Sequence, residues 1–302
     1  MRTVSVVIPT IGRHELHAAV TSALAQLHPV HEVLVVADTL DEIDIPDDER
    51  VCLVRVGPGA GGNVARQTGI ELATGDFIAL LDDDDIWFPE KLAKQFEAVD
   101  AAEGAAETWI ASCRVSVAGH ERGALVWPDR LIQPSESLVE YLFLKRKVRG
   151  GTGFIQASCL LFPRALALTT PFDRSLRFHQ DVSWLVDVAH AHPNLTVVQS
   201  PDALGVYLVT PGSGSVSQSI KADASVEWAL ERLAPDGRRV LGDFILTQSL
   251  LLARRAGSPR AVLRIMVRGM SVGRPGLPAV AYGCVSLAKV VLARVLGRRV
   301  VG

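Results

Sequence analysis

The first hundred residues alternate between short apolar runs and longer segments in which apolar residues recur every three or four positions. The short runs predict buried β-strands, and the longer segments predict amphipathic helices. This order of elements is typical of βαβ units around a parallel sheet, so we predict an α/β fold. The predicted strands are Val4 to Ile8, Glu32 to Ala37, Val51 to Val56 and Phe77 to Leu81, and the predicted helices are Glu15 to Leu27, Asn63 to Leu72 and Pro89 to Val99.

Beyond residue 100 the pattern is less regular and then becomes helical. A stretch rich in Gly, Ser and Pro, Thr210 to Ser219, predicts a loop or a linker. Strands are predicted before it at Trp109 to Val117, Gly123 to Trp127, Phe154 to Phe162, Thr196 to Gln199 and Leu204 to Val209, with helices at Ser135 to Lys145 and Gln180 to Ala191. The helices predicted after it are Ala224 to Leu233, Arg239 to Ala256, Pro259 to Met270 and Leu277 to Leu296.

The composition adds a strong asymmetry of charge. With 48% hydrophobic and 21% charged residues, the chain is a folded globular protein and not a disordered one. The net charge is only −2, but residues 237–302 contain twelve basic residues and one acid, Asp243. This segment therefore carries +11 and the first 236 residues carry −13. We call the acidic part, residues 1–236, the body and the basic part, residues 237–302, the tail.

The cysteines and the opening residues bear on location. Cys52, Cys113, Cys159 and Cys284 are scattered and form no C-x-x-C pair, so we expect reduced packing residues in a cytoplasmic protein. The first residues lead directly into a predicted strand that is too short for the core of a signal peptide.

Four consecutive aspartates, Asp82 to Asp85, lie between the apolar run that ends at Leu81 and the segment Ile86 to Pro89. Ligands of open α/β sheets bind beyond the carboxyl ends of strands. Neighbouring carboxylates repel one another unless a cation offsets their charge, and oxygen ligands suit Mg²⁺ or Mn²⁺, particularly beside a nucleotide phosphate. The run therefore predicts a cation site, although an acidic cap on the next helix would give the same pattern.

Polar residues also follow the first two predicted strands. Pro9 and Thr10 lead through Gly12 to Arg13, a strand-to-helix turn that would present backbone N–H groups and an arginine to an anion. Asp38 ends the second strand, where its carboxylate could accept a hydrogen bond from a base or a ribose, or could close an Asx turn.

The loop Gly57 to Gly62 satisfies the dinucleotide pattern G-x-G-x-x-G. Two features argue against a dinucleotide site. The motif follows the third strand instead of the first, and Pro58 removes one backbone N–H from the loop. We interpret the loop as a tight entry to the helix that carries Arg66 and Gln67.

Four segments in this order, Val6 to Thr10, Asp38, Gly62 to Gly69 and Leu81 to Trp87, resemble the family 2 glycosyltransferases of the GT-A fold. The resemblance covers the first hundred residues closely and continues more loosely to residue 220. It implies a Rossmann-like, mixed and mainly parallel central sheet flanked by helices, with a C-terminal helical appendage. It also implies a catalytic domain over residues 1–220, with a nucleotide-binding half at 1–100 and an acceptor half at 101–220, followed by the helical basic region 221–302.

The resemblance further implies an inverting transferase that uses a nucleoside-diphosphate sugar, most often a UDP-sugar, with Mn²⁺ or Mg²⁺. Asp82 and Asp84 occupy the D-x-D positions of the family, where Asp82 faces the ribose and Asp84 binds the metal. In the same comparison Asp38 meets the base and Arg66 helps to hold the nucleotide. The residues implied to bind the nucleotide sugar are Pro9, Thr10, Arg13, Asp38, Arg66, Asp82 and Asp83.

The family usually places a Glu-Asp pair or one acid at the start of a helix, about a hundred residues after D-x-D, as the catalytic base. Here His179-Gln180-Asp181 precedes a predicted helix at that distance, so the resemblance implies Asp181 as the base. Gln180 stands where the first acid is frequent. From the residues alone, an acid favoured by the dipole at a helix N-terminus stays an alternative interpretation of Asp181.

The processive synthases of this family carry Q-x-x-R-W after the base, and this sequence does not. The longest uncharged stretch of the tail, Pro275 to Ala288, is shorter than a bilayer requires. We therefore expect non-processive transfer to a hydroxyl of a glycan, a lipid-linked or a small-molecule acceptor.

The basic tail allows two kinds of contact. It would lie peripherally on an anionic membrane at its inner face, or pack on the body or on a second copy as a homodimer. We expect no nucleic-acid partner, because the tail lacks interleaved aromatic residues. Two other functions fit parts of the pattern: a nucleotidyltransferase that releases pyrophosphate, and a non-catalytic nucleotide-binding scaffold at the membrane.

Overall fold

The computed structural model describes residues 2–102, 108–118, 125–208 and 221–296. The chain divides into two compact units, Met1–Pro134 with Phe154–Pro211, and Ser135–Gly153 with Gly212–Gly302. Residues 135–153, which were predicted to belong to the α/β domain, are grouped with the C-terminal helices in the structure. The assignment of nucleotide and acceptor roles to two halves stays a prediction. The predicted loop Thr210 to Ser219 lies outside the described residues.

The first unit begins with four parallel strands, as predicted. They are β1 (Val4–Thr10), β2 (Glu32–Ala37), β3 (Val51–Arg55) and β4 (Phe77–Leu80). β1 pairs with β2 and β4, and β2 pairs with β3. The apolar runs of β1 and β2 are almost wholly buried, as strands covered on both faces require. Helices α1 (Leu16–Leu24) and α2 (Gly62–Leu72) pack against these strands, and α3 (Lys91–Ala101) packs against later strands of the same sheet.

Five more strands continue the sheet: β5 (Ile86–Trp87), β6 (Trp109–Ala118), β7 (Leu125–Trp127), β8 (Leu161–Pro163) and β9 (Thr196–Leu208). Over the described residues the order is β3-β2-β1-β4-β8-β6-β9-β5, with β7 on β6. β6 and β9 are parallel, whereas β8 is antiparallel to both of its neighbours. The predicted fold, a mixed and mainly parallel sheet flanked by helices, is confirmed.

The strand predicted at Phe154 to Phe162 is wrong over most of its length. Ala157–Cys159 is a 3₁₀ turn, and only the end of the run enters β8. The buried polar residues Gln156 and Ser158 interrupt the apolar run, and both donate hydrogen bonds to Asp85. The strand prediction relied on the average hydrophobicity of the run, whereas the conformation depends on its buried polar side chains.

Three other elements differ from the prediction. The short helix α5 (Arg164–Thr169) and the two-residue strand β5, which precedes α3, were not predicted. β9 is one strand where two were predicted, because Pro201 and Asp202 lie at a register shift opposite β6. A bulge tolerates a proline that a regular ladder would exclude. α6 (Gln180–Ala191) completes the unit as predicted.

The second unit is helical. It contains α4 (Leu138–Phe143), α7 (Ala222–Arg232), α8 (Gly237–Phe244), a π-helical turn (Ile245–Ser249), α9 (Leu250–Arg255), α10 (Pro259–Val272) and α11 (Leu277–Val295).

Asp243, the one acid of the tail sequence, is fully buried. Its carboxylate accepts the Lys145 N–H at 2.9 Å, the Gly276 N–H at 2.7 Å and the Arg239 Nε at 3.2 Å. A single buried carboxylate thus connects the ends of α4 and α8 to the start of α11.

α11 corrects one expectation about the tail. By length and composition it could cross a bilayer, because the helix continues beyond the uncharged stretch through Lys289 to Val295. Of the most apolar 18-residue window of this helix, only 22% is buried.

The cysteines also differ from the expected packing role. Cys113 and Cys159 are buried, whereas Cys52 and Cys284 are exposed; all four are free.

We predict that Gly69→Ala destabilises the first unit by about 1–3 kcal/mol, because α2 packs closely on the sheet at this glycine. A Cβ there would lie 2.5 Å from Val7 Cγ1 and 3.1 Å from Val36 Cγ2. Unfolding in urea measures the difference. Thr68→Ala, at the adjacent and less buried position, is the matched control and should change stability by less than about 0.5 kcal/mol. Equal stability of the two variants would contradict this packing.

Candidate active site

The carboxyl ends of β1, β2 and β4 meet because these strands are parallel neighbours. Thr10 ends β1, Asp38 follows β2, and the aspartates begin just after β4. Asp38 also donates its backbone N–H to the Thr10 carbonyl at 2.8 Å, which extends the pairing beyond the strands. The sheet therefore gathers at one edge residues such as Thr10 and Asp83, which are 73 positions apart in the sequence.

Arg13 holds two of the aspartates. Its Nη1 donates to Asp83 Oδ1 at 2.7 Å and to Asp84 Oδ2 at 2.8 Å. The Thr10 hydroxyl donates to the other Asp83 oxygen at 2.6 Å and accepts the N–H of Gly12. The Asp83 side chain is 5% exposed, whereas that of Asp84 is 27% exposed. Asp83 is thus turned inward as an anchor, and Asp84 is the more accessible carboxylate.

Arg66, on α2, connects the aspartates to the start of α6. Its Nη2 donates to Asp82 Oδ1 at 2.7 Å, and its Nη1 donates to Gln180 Oε1 at 3.2 Å. The same Nη1 lies 3.6 Å from Asp181 Oδ1. The Arg66 side chain is only 8% exposed, and a buried guanidinium is tolerated only with partners of opposite charge. One arginine therefore fixes the relative positions of Asp82 and Asp181.

Asp181 lies in the first turn of α6, and its Oδ2 accepts the Ala157 N–H at 3.2 Å. Burial raises the pKa of this carboxyl above its ordinary value, the charge of Arg66 opposes the shift, and Asp82 adds to it. A raised pKa strengthens a carboxylate as a proton acceptor. The side chain remains 25% exposed, so the carboxylate is accessible to a ligand.

Asp85 has a structural task. It is 2% exposed and accepts the Ser158 hydroxyl at 2.5 Å, the Gln156 amide at 2.6 Å and the Leu208 N–H at 3.3 Å. The Ser158 Oγ in turn accepts the N–H of Asp82 at 3.0 Å. Burial, and next the charge of Asp82, raise the pKa of Asp85 well above its ordinary value. Asp85 thus ties the aspartate turn to the Ala157–Cys159 turn and to β9.

Asp38 closes the glycine-rich loop. Its two carboxylate oxygens accept the N–H groups of Ala60 and Gly61, each at 2.7 Å. Gly61 has a φ of 94°, and a Cβ at Gly57 would lie 1.7 Å from Asp38 Oδ1, so both positions need glycine. These loop N–H groups therefore already have a partner. The role of Asp38 toward a base stays a prediction, and each carboxylate oxygen retains a further lone pair for it.

A divalent cation fits this cluster only together with a ligand. Over the residues that the structure describes, no set of three His, Cys, Asp or Glu side chains is placed to hold a metal. Burial raises the pKa of Asp84 to about 6; Arg13 opposes the shift, and the charges of Asp82 and Asp83 add to it. Uncompensated negative charge of this kind favours a cation. Mg²⁺ is usually held by one or two carboxylates and completed by substrate phosphates, and the cluster suits that arrangement.

Comparison with known proteins decides the family. The model of glycosyl transferase family 2 matches residues 5–167, more than half of the chain. The chain belongs to this family. The amylovoran biosynthesis glycosyltransferase AmsB of Erwinia amylovora is 29% identical over 229 residues, which cover 72% of this chain and 74% of that protein.

Two further comparisons concern a nucleotide sugar. The UDP-Glc:alpha-D-GlcNAc-diphosphoundecaprenol beta-1,3-glucosyltransferase WfgD of Escherichia coli is 35% identical over 98 residues, 30% of this chain and 39% of that protein. The structure of S. aureus TarS 1-349 in complex with UDP-GlcNAc has a TM-score of 0.55 and 15% identity, over 99% of this chain and 93% of that chain. At this identity the structural likeness shows the fold alone.

In this family 2 glycosyltransferase the predicted site residues fall into three groups. Hydrogen bonds join Thr10, Arg13, Asp83 and Asp84. In the second group Arg66 donates a hydrogen bond to Asp82 and forms an ion pair with Asp181. The third group, Asp38 and Pro9, has side chains in neither set: the Asp38 carboxylate accepts N–H groups of the glycine loop, and Pro9 lies within β1 opposite Val36. The roles of these nine residues in binding and catalysis stay predictions.

Four residues hold the candidate site in shape; three of them were given no role from the sequence, and Asp85 was predicted only as part of a cation site. They are Asp85, Gln156 and Ser158, together with Arg177, which donates to the Ala60 carbonyl. A signal existed for two of them. Gln156 and Ser158 are polar residues inside an apolar run, and a buried polar side chain requires a partner. The identity of that partner, Asp85, required the register of the sheet.

His179 precedes α6 in a left-handed conformation, with φ 50° and ψ 32°. Its carbonyl accepts both the N–H and the hydroxyl of Ser183, which starts the helix and orients its first turn. Burial lowers the pKa of His179 to about 4. A neutral imidazole therefore stands two positions before Asp181. A left-handed conformation outside glycine is most often adopted by Asn, Asp and His.

We predict that His179 makes stability depend on pH between about 4 and 6.5. Its folded pKa lies below its unfolded value, so the unfolded chain binds the proton in this window and stability falls as the pH falls. His179→Asn, which accepts the left-handed conformation, should reduce the loss between pH 6.5 and pH 4 by about 1–2 kcal/mol. Urea unfolding at several pH values measures it, and an unchanged pH dependence would contradict the assignment. The exposed His14, substituted in the same way, is the control.

Proposed function

We propose that this glycosyltransferase moves a sugar from a UDP-sugar to a hydroxyl group, with inversion at the anomeric carbon and with help from a divalent cation. The observation that carries the proposal is the connection from Asp82 through Arg66 to Asp181. It joins the acidic end of β4, suited to a donor with its cation, to an accessible carboxylate on α6, suited to an acceptor hydroxyl. Donor and acceptor groups thus have separate partners within one cluster.

Asp181 is the proposed general base. In a single displacement the acceptor oxygen forms a bond to the anomeric carbon, the bond from that carbon to the diphosphate breaks, and the hydroxyl proton passes to Asp181. Burial raises the pKa of Asp181 and so strengthens it as a base, while the nearby Arg66 favours its ionised form. The neighbouring Gln180 has a neutral amide, which does not accept a proton, so Asp181 is the proton acceptor of the two residues.

Asp84 is the proposed protein ligand of Mn²⁺ or Mg²⁺. The carboxylates of Asp82–Asp84 and Asp181 are paired with two arginines, Arg13 and Arg66. Their charges sum to a negative value that would repel a diphosphate. A bound cation would supply the missing positive charge, both for binding the donor and for stabilising the departing diphosphate. Asp82 and Arg13 would then contact the donor beside it.

The identity of the donor and acceptor is argued from relatives. WfgD is named for a UDP-sugar donor and a diphosphoundecaprenol acceptor, AmsB for the biosynthesis of a polysaccharide, and TarS was solved with UDP-GlcNAc. We propose a UDP-sugar and a glycan or lipid-linked acceptor for this chain, within cell-envelope polysaccharide assembly. Non-processive transfer is proposed from the sequence, which lacks the Q-x-x-R-W motif of processive synthases. The free cysteines suit a cytoplasmic site for the reaction.

We predict that UDP raises the melting temperature of the protein more with Mn²⁺ than with a chelator. A ligand that binds only the folded state at about a hundred times its Kd stabilises it by about 2.7 kcal/mol. Asp84→Asn should remove the part of the shift that depends on Mn²⁺ and leave a smaller shift from UDP alone. Thermal unfolding with UDP, GDP, CMP, dTDP and NAD, each with Mn²⁺ or EDTA, measures it. A shift by NAD alone, independent of metal, would contradict both the donor and the interpretation of the glycine loop.

We predict that Asp181→Asn lowers kcat by about 10²–10⁴-fold with little change in the donor KM, because an amide at this position accepts no proton. Asp84→Asn should lower turnover at limiting Mn²⁺ in the same assay of UDP release with a polysaccharide-repeat or lipid-linked acceptor. Asp47→Asn, at an exposed carboxylate in the same unit, is the control and should retain full turnover. Full activity of Asp181→Asn would remove Asp181 as the base. Release of pyrophosphate from UTP by the native protein would instead favour a nucleotidyltransferase.

A further inference from the structure

The outer face of α11 is apolar along its whole length. Leu277 is 86% exposed, Leu292 58% and Val295 77%. At 3.6 residues per turn, the exposed apolar side chains fall within about 120° of the helix circumference. They are Leu277, Val285, Ala288, Val291, Leu292 and Val295. A stripe of this length differs from the isolated exposed apolar residues that any soluble protein has.

The opposite face of α11 is packed within its own unit. Ala279, Gly283, Ser286 and Val290 are buried. A Cβ at Gly283 would lie 3.2 Å from Met266 Cε, so α10 and α11 approach closely there. This face is committed to protein contacts. The helix is therefore held in place with its apolar stripe directed away from the helices that it packs against.

The charges beside the stripe are basic. By the same helical spacing, Lys289 and Arg294 border the stripe on its two sides. α10 repeats the pattern, with exposed Leu263, Val267 and Met270 next to exposed Arg260, Arg264 and Arg268. Arg264 also contacts Asp223 of α7 at 2.7 Å. From residue 244 to the end, the sequence contains no Asp or Glu. We call these exposed apolar and basic residues of α10 and α11 the α10–α11 surface.

We propose that the α10–α11 surface binds the interface of an anionic lipid bilayer. Such a bilayer interacts favourably with both kinds of residue, because aliphatic side chains enter the boundary of the acyl chains while Lys and Arg reach the anionic headgroups. A second copy fits less well, because a two-fold contact through this surface would bring basic residues against basic residues. Nucleic acid would match the charge but not the aliphatic stripe. A spanning α11 would have to leave the buried contacts of Gly283 and Val290.

Vesicle cosedimentation of the full chain tests the proposal. Vesicles of phosphatidylcholine with about one-third phosphatidylglycerol should bind the protein at least about tenfold better than phosphatidylcholine alone, and rising salt should weaken the binding. Leu292→Gln with Val295→Gln should reduce binding by on the order of tenfold, because the stripe loses its apolar contacts. Lys289→Gln with Arg294→Gln should also reduce binding and lessen the preference for anionic lipid. Leu27→Gln with Leu72→Gln removes exposed leucines of the first unit and should leave binding unchanged.

Circular dichroism of each double variant, compared with the native chain, confirms that the helices are retained. Three results would overturn the proposal. Equal binding to both kinds of vesicle would remove the charge component. A dimer in vesicle-free buffer that Leu292→Gln with Val295→Gln dissociates, with no vesicle binding by the native chain, would assign the surface to a second copy. Resistance of the vesicle-bound protein to extraction with alkaline carbonate would show a spanning helix instead of an interfacial one.

Discussion

The arrangement of the first unit depends on accommodating four adjacent aspartates at the end of a buried strand. Close carboxylates in a partly buried place repel one another, and each also loses hydration. The structure meets this demand by giving each aspartate a different environment. Asp82 pairs with Arg66, Asp83 takes Thr10 and one contact from Arg13, Asp84 shares Arg13, and Asp85 accepts neutral donors. Four identical side chains thus acquire different hydrogen-bond partners and different accessibilities.

The partners that these aspartates require come from distant parts of the chain, and this couples the site to the fold. Arg13 precedes α1, Arg66 lies on α2, and Ser158 belongs to the turn before β8. Removing one member of a buried, hydrogen-bonded charge pair leaves the other uncompensated, at a cost of about 3–5 kcal/mol. Helix positions, the 3₁₀ turn and the start of α6 are therefore constrained by electrostatics as well as by apolar packing. A metal that withdrew Asp84 from Arg13 would leave Asp83 still held, so the turn would persist.

The sequence predicted the parts of the fold that local patterns determine. β1 to β4, α2 and α6 are where the apolar periods place them, because strands buried on both faces and amphipathic helices have strong periods. The parallel order of these strands also explains why residues at their ends form one site. The 3₁₀ turn at Ala157–Cys159 was missed because its conformation depends on Asp85, 73 positions from Ser158. The single β9 was missed because Pro201 looks like a strand end, while a bulge allows the strand to continue. The contact of Asp38 with Ala60 and Gly61 likewise depends on a long-range pairing that no local pattern encodes.

The separation of charge along the chain gives its two parts, residues 1–236 and residues 237–302, different preferences for surfaces. A net charge of −2 predicts little attraction to an anionic membrane. Charges interact strongly only within a Debye length of about 8–10 Å, however, so the charge of the surface nearest the membrane determines the attraction. The first 236 residues, with −13, would be repelled by anionic lipid, whereas the segment from residue 237, with +11, would be attracted. Any contact with such a membrane is then confined to the basic segment.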